Sequence, residues 1–70
     1  MKYRYFRYKK HLRHNNLSDY EIALSNTESY SPIGQHMISE ISFLEHNCDE
    51  ITKEEYIEAT KSLFTPPEYL

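Results

Sequence analysis

The sequence has no tryptophan, one glycine, one cysteine and three prolines among its 70 residues. A single glycine excludes a glycine-rich phosphate cradle, whose backbone must approach the ligand closely at several points. A single cysteine, Cys48, excludes an intrachain disulfide, so no covalent framework supports the core, and the composition suits a reducing compartment. No apolar run approaches the ~20 residues needed to cross a bilayer. The start, Met1 to Tyr5, is charged but lacks the apolar stretch of a signal peptide. A cytoplasmic location is therefore expected. Neither a nucleophile elbow nor a paired-carboxylate motif is present, and no cofactor is expected.

What remains is ordinary in bulk and unusual in distribution. Hydrophobic residues are 39% and charged residues 27%, too apolar for a disordered chain. Residues 1–70 make one domain, and a chain of this length buries only about 60% of the surface it exposes unfolded. Seven tyrosines suit such a thin core, because each carries an apolar ring and a polar tip that can reach water. Charge is segregated along the chain. Lys2, Arg4, Arg7, Lys9, Lys10 and Arg13 fall in residues 1–18 with no acid among them, whereas residues 19–70 carry eleven acids against Lys53 and Lys61. Such asymmetry points either to a charged partner or to attraction between the two segments within the fold.

Hydrophobic spacing gives the elements. Residues 2–10 are aromatic and basic, a strand composition. Tyr3 and Tyr5 share one face while Phe6 and Tyr8 share the other, as a bulge near Phe6 or a two-sided edge strand would produce. Arg13 to Asn16 reads as a turn, since Asn tolerates left-handed backbone. In residues 19–25, Tyr20, Ile22 and Leu24 alternate with Glu21, Ala23 and Ser25, a strand pattern. Asn26 to Ser31 is polar and reads as a loop. Residues 36–45 are ambiguous. As a strand, Met37, Ile41 and Phe43 share a face; as a helix over 32–46, Ile33, Met37, Ile41 and Leu44 form a stripe with Ser31 capping and Pro32 in the first turn. The isoleucines, serines and Gly34 favour the strand.

Residues 52–64 form the clearest helix. Thr52 and Glu55 are spaced as a capping box, with Ile51 and Tyr56 placed as a hydrophobic staple. Tyr56, Ile57, Thr60, Leu63 and Phe64 make the buried stripe, and Pro66 ends it. The tail, 66–70, reads as extended, with Tyr69 and Leu70 placed to dock back. The expected class is α+β: about three antiparallel strands (2–10, 19–25, 36–45) against one C-terminal helix (52–64). A helix over 32–46 would instead give two strands and two helices.

Three groups of residues invite chemistry. Arg4, Arg7, Lys9, Lys10 and Arg13, interleaved with Tyr3 and Tyr5, could contact an acidic protein; the same cations with Tyr3, Tyr5, Phe6 and Tyr8 could neutralise phosphates and stack on bases. His11, His14, His46 and Cys48 are four zinc-type ligands, but the one-residue spacing of His46 and Cys48 is unlike common zinc knuckles, and no metal is expected. Cys48 with His46 or His36 could be a nucleophile and base, yet Asp49 and Glu50 beside it would make the thiolate scarce, so an idle cysteine is expected. The acids from Glu40 to Glu58 could meet a basic partner, or simply be a solvated face and a helix N-terminus. The expected function is that of a small non-enzymatic binding protein, an inhibitor or adaptor acting on another protein, with nucleic-acid binding through residues 2–13 as the alternative. Small size and a sharp charge split are features seen in phage and mobile-element accessory proteins, a likeness of style with no motif behind it. A thin core and an unpaired edge strand also favour a homodimer.

Overall fold

Strand β1, Arg4–Tyr8, is the axis of the molecule. The computed structural model describes residues 3–15, 17–24, 28–32, 36–37 and 41–70. Within them β1 pairs antiparallel with β2 (Tyr20–Leu24) on one side and with β5 (Cys48–Ile51) on the other. Two short strands, β3 (Glu28–Tyr30) and β4 (His36–Met37), extend the sheet beyond β2, giving the order β4-β3-β2-β1-β5. Two helices, α1 (Ile41–Asn47) and α2 (Lys53–Thr60), complete an α+β protein.

The two-sided aromatic pattern of residues 2–10 thus has a different cause from a bulge or an edge. The pairing of Arg4 to Arg7 with Ala23 to Tyr20 runs without interruption, so β1 is a central strand with both faces covered. Tyr5, Tyr20, Ile22 and Tyr56 form a core under α2. Phe6, Ala23, Leu44 and Cys48 form a second core under α1. Adjacent strand residues point to opposite faces, so Tyr5 and Phe6 anchor different layers.

The capping box is present as the sequence requires. The Glu55 amide donates to Thr52 Oγ1 at 3.0 Å, and the Thr52 amide donates to Glu55 Oε1 at 3.1 Å. Ile51 packs on the Tyr56 core, as the staple demands. The helix is shorter than expected, however. It ends at Thr60, whose hydroxyl donates to the Tyr56 carbonyl at 2.8 Å, and Lys61 and Ser62 turn left-handed with φ of 55° and 57°. That turn swings Leu63 and Phe64 outward, leaving them 50% and 69% exposed, so they do not belong to the buried stripe. After Pro66, residues Pro67–Tyr69 form a 3-10 turn in place of a fully extended tail, and Tyr69 and Leu70 do pack back on the core.

Three other expectations are corrected. Residues 36–45 are not one strand: β4 covers His36–Met37, residues 38–40 lie outside the described residues, and Ile41 onward is helical. The helical alternative over 32–46 is equally partial, since Ile33 and Gly34 also lie outside the described residues. Leu44 alone is fully buried in α1, with Ile41 partly buried one turn earlier, so one apolar contact fixes a helix that propensity disfavours. The polar stretch Asn26 to Ser31 contains β3, where Tyr30 pairs opposite Ile22. Asn47 to Glu50, whose composition suits a polar turn, is mostly the edge strand β5. Its polar residues are tolerated because the ladder to β1 satisfies its backbone and Asp49 and Glu50 face solvent.

Thr52→Ala should cost about 0.5–2 kcal/mol by removing the cap, a drop of about 4–8 °C in Tm per kcal/mol in a domain this small. Tyr56→Ala, which empties the first core, should cost about 3–5 kcal/mol. Leu63→Ala should change stability by no more than about 0.5 kcal/mol, as surface substitutions do. Thermal melts of the three variants check this order; a Leu63→Ala protein as unstable as Tyr56→Ala would contradict the left-handed ending of α2.

Candidate functional site

The strand that carries the basic segment distributes its side chains to both faces. Tyr5 is buried, and its hydroxyl donates to the Tyr69 carbonyl at 2.6 Å. Tyr3 stacks obliquely on Tyr69, with ring centroids 5.0 Å apart. Arg7 lies on that same face, its guanidinium 5.1 Å from the centre of the Tyr20 ring. Arg4 lies on the opposite face. Its Nε and Nη2 fork onto the Glu50 carboxylate at 3.0 and 2.7 Å, and Nη2 also reaches Glu45 at 3.1 Å. The Glu50 hydrogen bonds, ahead of the opposing effect of burial, hold the Arg4 pKa above its ordinary value. The basic strand and the acidic strand beside it therefore attract each other within the fold, and Arg4 is engaged internally. Lys2 lies outside the described residues.

The remaining cations collect on the connection between β1 and β2. A 3-10 turn over Lys10–Leu12 opens this connection, and a second over Leu17–Asp19 closes it. Lys10, His11 and His14 are exposed, and Lys9 and Arg13 are half-buried. Two bonds pin the segment: the Lys9 amide donates to the Asn47 carbonyl at 2.9 Å, and Arg13 Nε donates to the Tyr8 carbonyl at 2.6 Å. The structure thus brings Lys9, Lys10 and Arg13 into one connection beside the end of α1, and separates them from Arg4, Arg7, Tyr3 and Tyr5.

Beneath this connection lies a cleft of about 360 Å³. Leu12 and His14 line it from the connection, Phe43 and Asn47 from α1, Asp19 from the second 3-10 turn and Glu21 from β2. Phe43 is 47% exposed. Asp19 is buried and both its oxygens accept from the His14 amide, at 2.9 and 3.1 Å. Glu21 is buried and accepts from the Tyr8 hydroxyl through Oε2. Burial, with the Glu21 hydrogen bond second, drives the Tyr8 pKa upward, so Tyr8 remains a donor at neutral pH. The alternation of residues 19–25 placed Glu21 opposite the tyrosine face. Its burial could be inferred only by noticing that aromatics on both sides of β1 demand a second covered layer.

The other residues that invited chemistry do not converge on one site among the described residues. Cys48 is buried under α1, and burial, then the charges of Glu21 and Asp49, push its thiol up to about 12. His46 is exposed on α1. No group of three or more His, Cys, Asp or Glu side chains placed to hold a metal occurs among the described residues. Among them also, no helix is long and apolar enough to cross a membrane. The chain matches no protein-family model, and comparison with curated proteins and with solved structures found no significant match.

Burial also sets an alkaline limit. Cys48 rises from 9.0 to about 12, and Tyr56, chiefly through burial, from 10.0 to about 12. The fold therefore favours the protonated forms. Their contribution to stability is intact below pH 9 and is lost as pH climbs through about 12. Urea unfolding across alkaline pH should show stability falling from about pH 9, and Cys48→Ala should delay that onset toward pH 10, where the tyrosines begin to titrate. An onset unmoved by Cys48→Ala would contradict the buried thiol.

Proposed function

We propose that this chain is a small non-enzymatic protein that acts by binding another protein, as an inhibitor or adaptor, through the connection between β1 and β2. The observation that carries this reading is that the connection holding Lys9, Lys10 and Arg13 shares a cleft, through Leu12 and His14, with the half-exposed ring of Phe43. A connection that exposes Lys10 and His11 and borders the same cleft as Phe43 supplies both halves of a docking surface: charge to steer an acidic partner, and an aromatic to anchor it. Arg4 plays no direct part in this surface, because Glu45 and Glu50 already hold it. Arg7 and Tyr5 act by fixing β1 beneath the connection. Self-association through β5, a four-residue edge of the sheet, is compatible with this role; a monomer mass by light scattering at high concentration would remove the homodimer.

Capture from native cells should recover a stoichiometric acidic protein. Lys9→Glu with Lys10→Glu should abolish recovery while leaving Tm unchanged, and Phe43→Ala should weaken binding by roughly 2 kcal/mol if the ring is an anchor. Recovery of nucleic acid alone, with an affinity that falls linearly against salt on logarithmic axes, would replace this reading by nucleic-acid binding.

A further inference from the structure

Two residues that line the same cleft each carry a buried polar atom with no hydrogen-bond partner among the described residues. Glu21 is 3% exposed and its Oε1 is unpaired; Ser31 is 5% exposed and its Oγ is unpaired. Polar atoms buried this deeply are nearly always bonded, because leaving one unpaired forfeits its hydration with nothing in return. The two come from different segments. Glu21 reaches the cleft from β2, and Ser31 from the end of β3. Oε1 of a carboxylate can only accept, so it calls for an N–H or O–H donor; the serine hydroxyl can accept as well. Asp19 lies in the same lining and adds a second negative charge. Leu12 and the half-exposed ring of Phe43 form apolar walls toward the mouth. The basic groups beside the cleft are Arg13, whose Nε donates to the Tyr8 carbonyl, and His14, whose ring belongs to a lining residue and whose amide donates to Asp19.

We propose that this cleft is a binding site for an organic cation, an alkylammonium or guanidinium group on a short apolar stem. The head donates to Glu21 Oε1 and Ser31 Oγ, and the stem lies between Leu12 and Phe43. Such a head meets the acceptors with charge-assisted bonds, which are stronger than neutral ones. The ring of Phe43 at the mouth offers its face to the cation or its stem. The site shares the ring of Phe43 with the protein-binding surface proposed above but uses neither Lys9 nor Lys10. The same head could come from a free amine or from a basic side chain of a peptide.

Amide shifts of the isotope-labelled protein, titrated at fixed ionic strength, test the site. The probes are n-butylammonium, n-butylguanidinium, acetyl-lysine methylamide and, as the neutral control, n-pentanol. Saturable shifts at Asp19, Glu21 and Ser31 are expected with the cations, and binding of the alcohol should be weaker by roughly tenfold or more. Glu21→Gln should weaken the cations by about tenfold while leaving the alcohol unchanged. Ser31→Ala should weaken them by a smaller factor, and Lys10→Glu should not weaken them. Acetyl-lysine methylamide binding as tightly as n-butylammonium would assign the site to a peptide side chain, and weaker binding to a free amine. Equal affinity for alcohol and ammonium, or no saturable shift with any cation, would overturn the proposal. Should Glu21→Gln fail to fold, the comparison of ammonium with alcohol on the unaltered chain still decides it.

Discussion

Everything in this molecule depends on β1 being buried on both faces. A half-buried strand needs one layer of packing, but Tyr5 and Phe6 are adjacent, so their rings leave the sheet in opposite directions. Two layers must therefore cover a sheet built from 70 residues. Neither layer is thick. One consists of α2 and the C-terminal segment, the other of the seven-residue α1, and each supplies one fully buried large side chain, Tyr56 and Leu44. The tyrosines make the first layer sufficient. Tyr5 and Tyr20 meet Tyr56 at ring distances of 5.2 and 6.2 Å, while Tyr3 and Tyr30 meet Tyr69 at 5.0 and 5.1 Å. Their hydroxyls then bond groups of the tail: Tyr5 to the Tyr69 carbonyl, Tyr30 to the Phe64 carbonyl, Tyr56 to Thr65. Leucine at those positions would fill space but could not tie down an irregular segment.

What could be read from the sequence is what local rules govern. The start of α2 was legible because a capping box involves four consecutive residues and needs no tertiary context. The strand at Tyr20 was legible from its alternation. The elements that escaped are held by distant partners. Asp49 and Glu50 disfavour a strand; the ladder to β1 and the fork of Arg4 on Glu50 hold one there. Glu28–Tyr30 is a strand because Tyr30 has a place opposite Ile22. Leu63 and Phe64 deceived the helical spacing because the turn at Lys61 and Ser62 takes left-handed backbone without glycine, and no residue type announced it.

The charge segregation was legible, and its meaning was not. Six cations in the first eighteen residues suggest a patch, but a strand cannot present consecutive side chains to one side. Alternation sends Arg4 to the acids of α1 and β5, and Arg7 to the ring of Tyr20. Only where the strand ends, beyond Tyr8, can neighbouring cations gather. The acidic half is divided in the same way: Glu45 and Glu50 neutralise Arg4 at the surface, whereas Glu21 goes inside.

The two faces of the sheet differ in how completely their polar groups are satisfied. On the α2 face the buried hydroxyls of Tyr5, Tyr30 and Tyr56 all have partners, and the orphan there, Arg7 Nε, belongs to a guanidinium lying on an aromatic ring. On the α1 face, among the described residues, Glu21 is bonded through one oxygen and not the other, and the Ser31 hydroxyl of the same cleft lining is unpaired. A marginally stable domain gains nothing structural from this. A glutamine there would keep the bond from Tyr8 without a buried charge, and an apolar residue would remove the unsatisfied acceptor altogether. The α2 face is thus built as a stabilising layer whose groups are matched to one another. The α1 face holds a carboxylate with one oxygen unpartnered among the described residues, which the cation site proposed above would use.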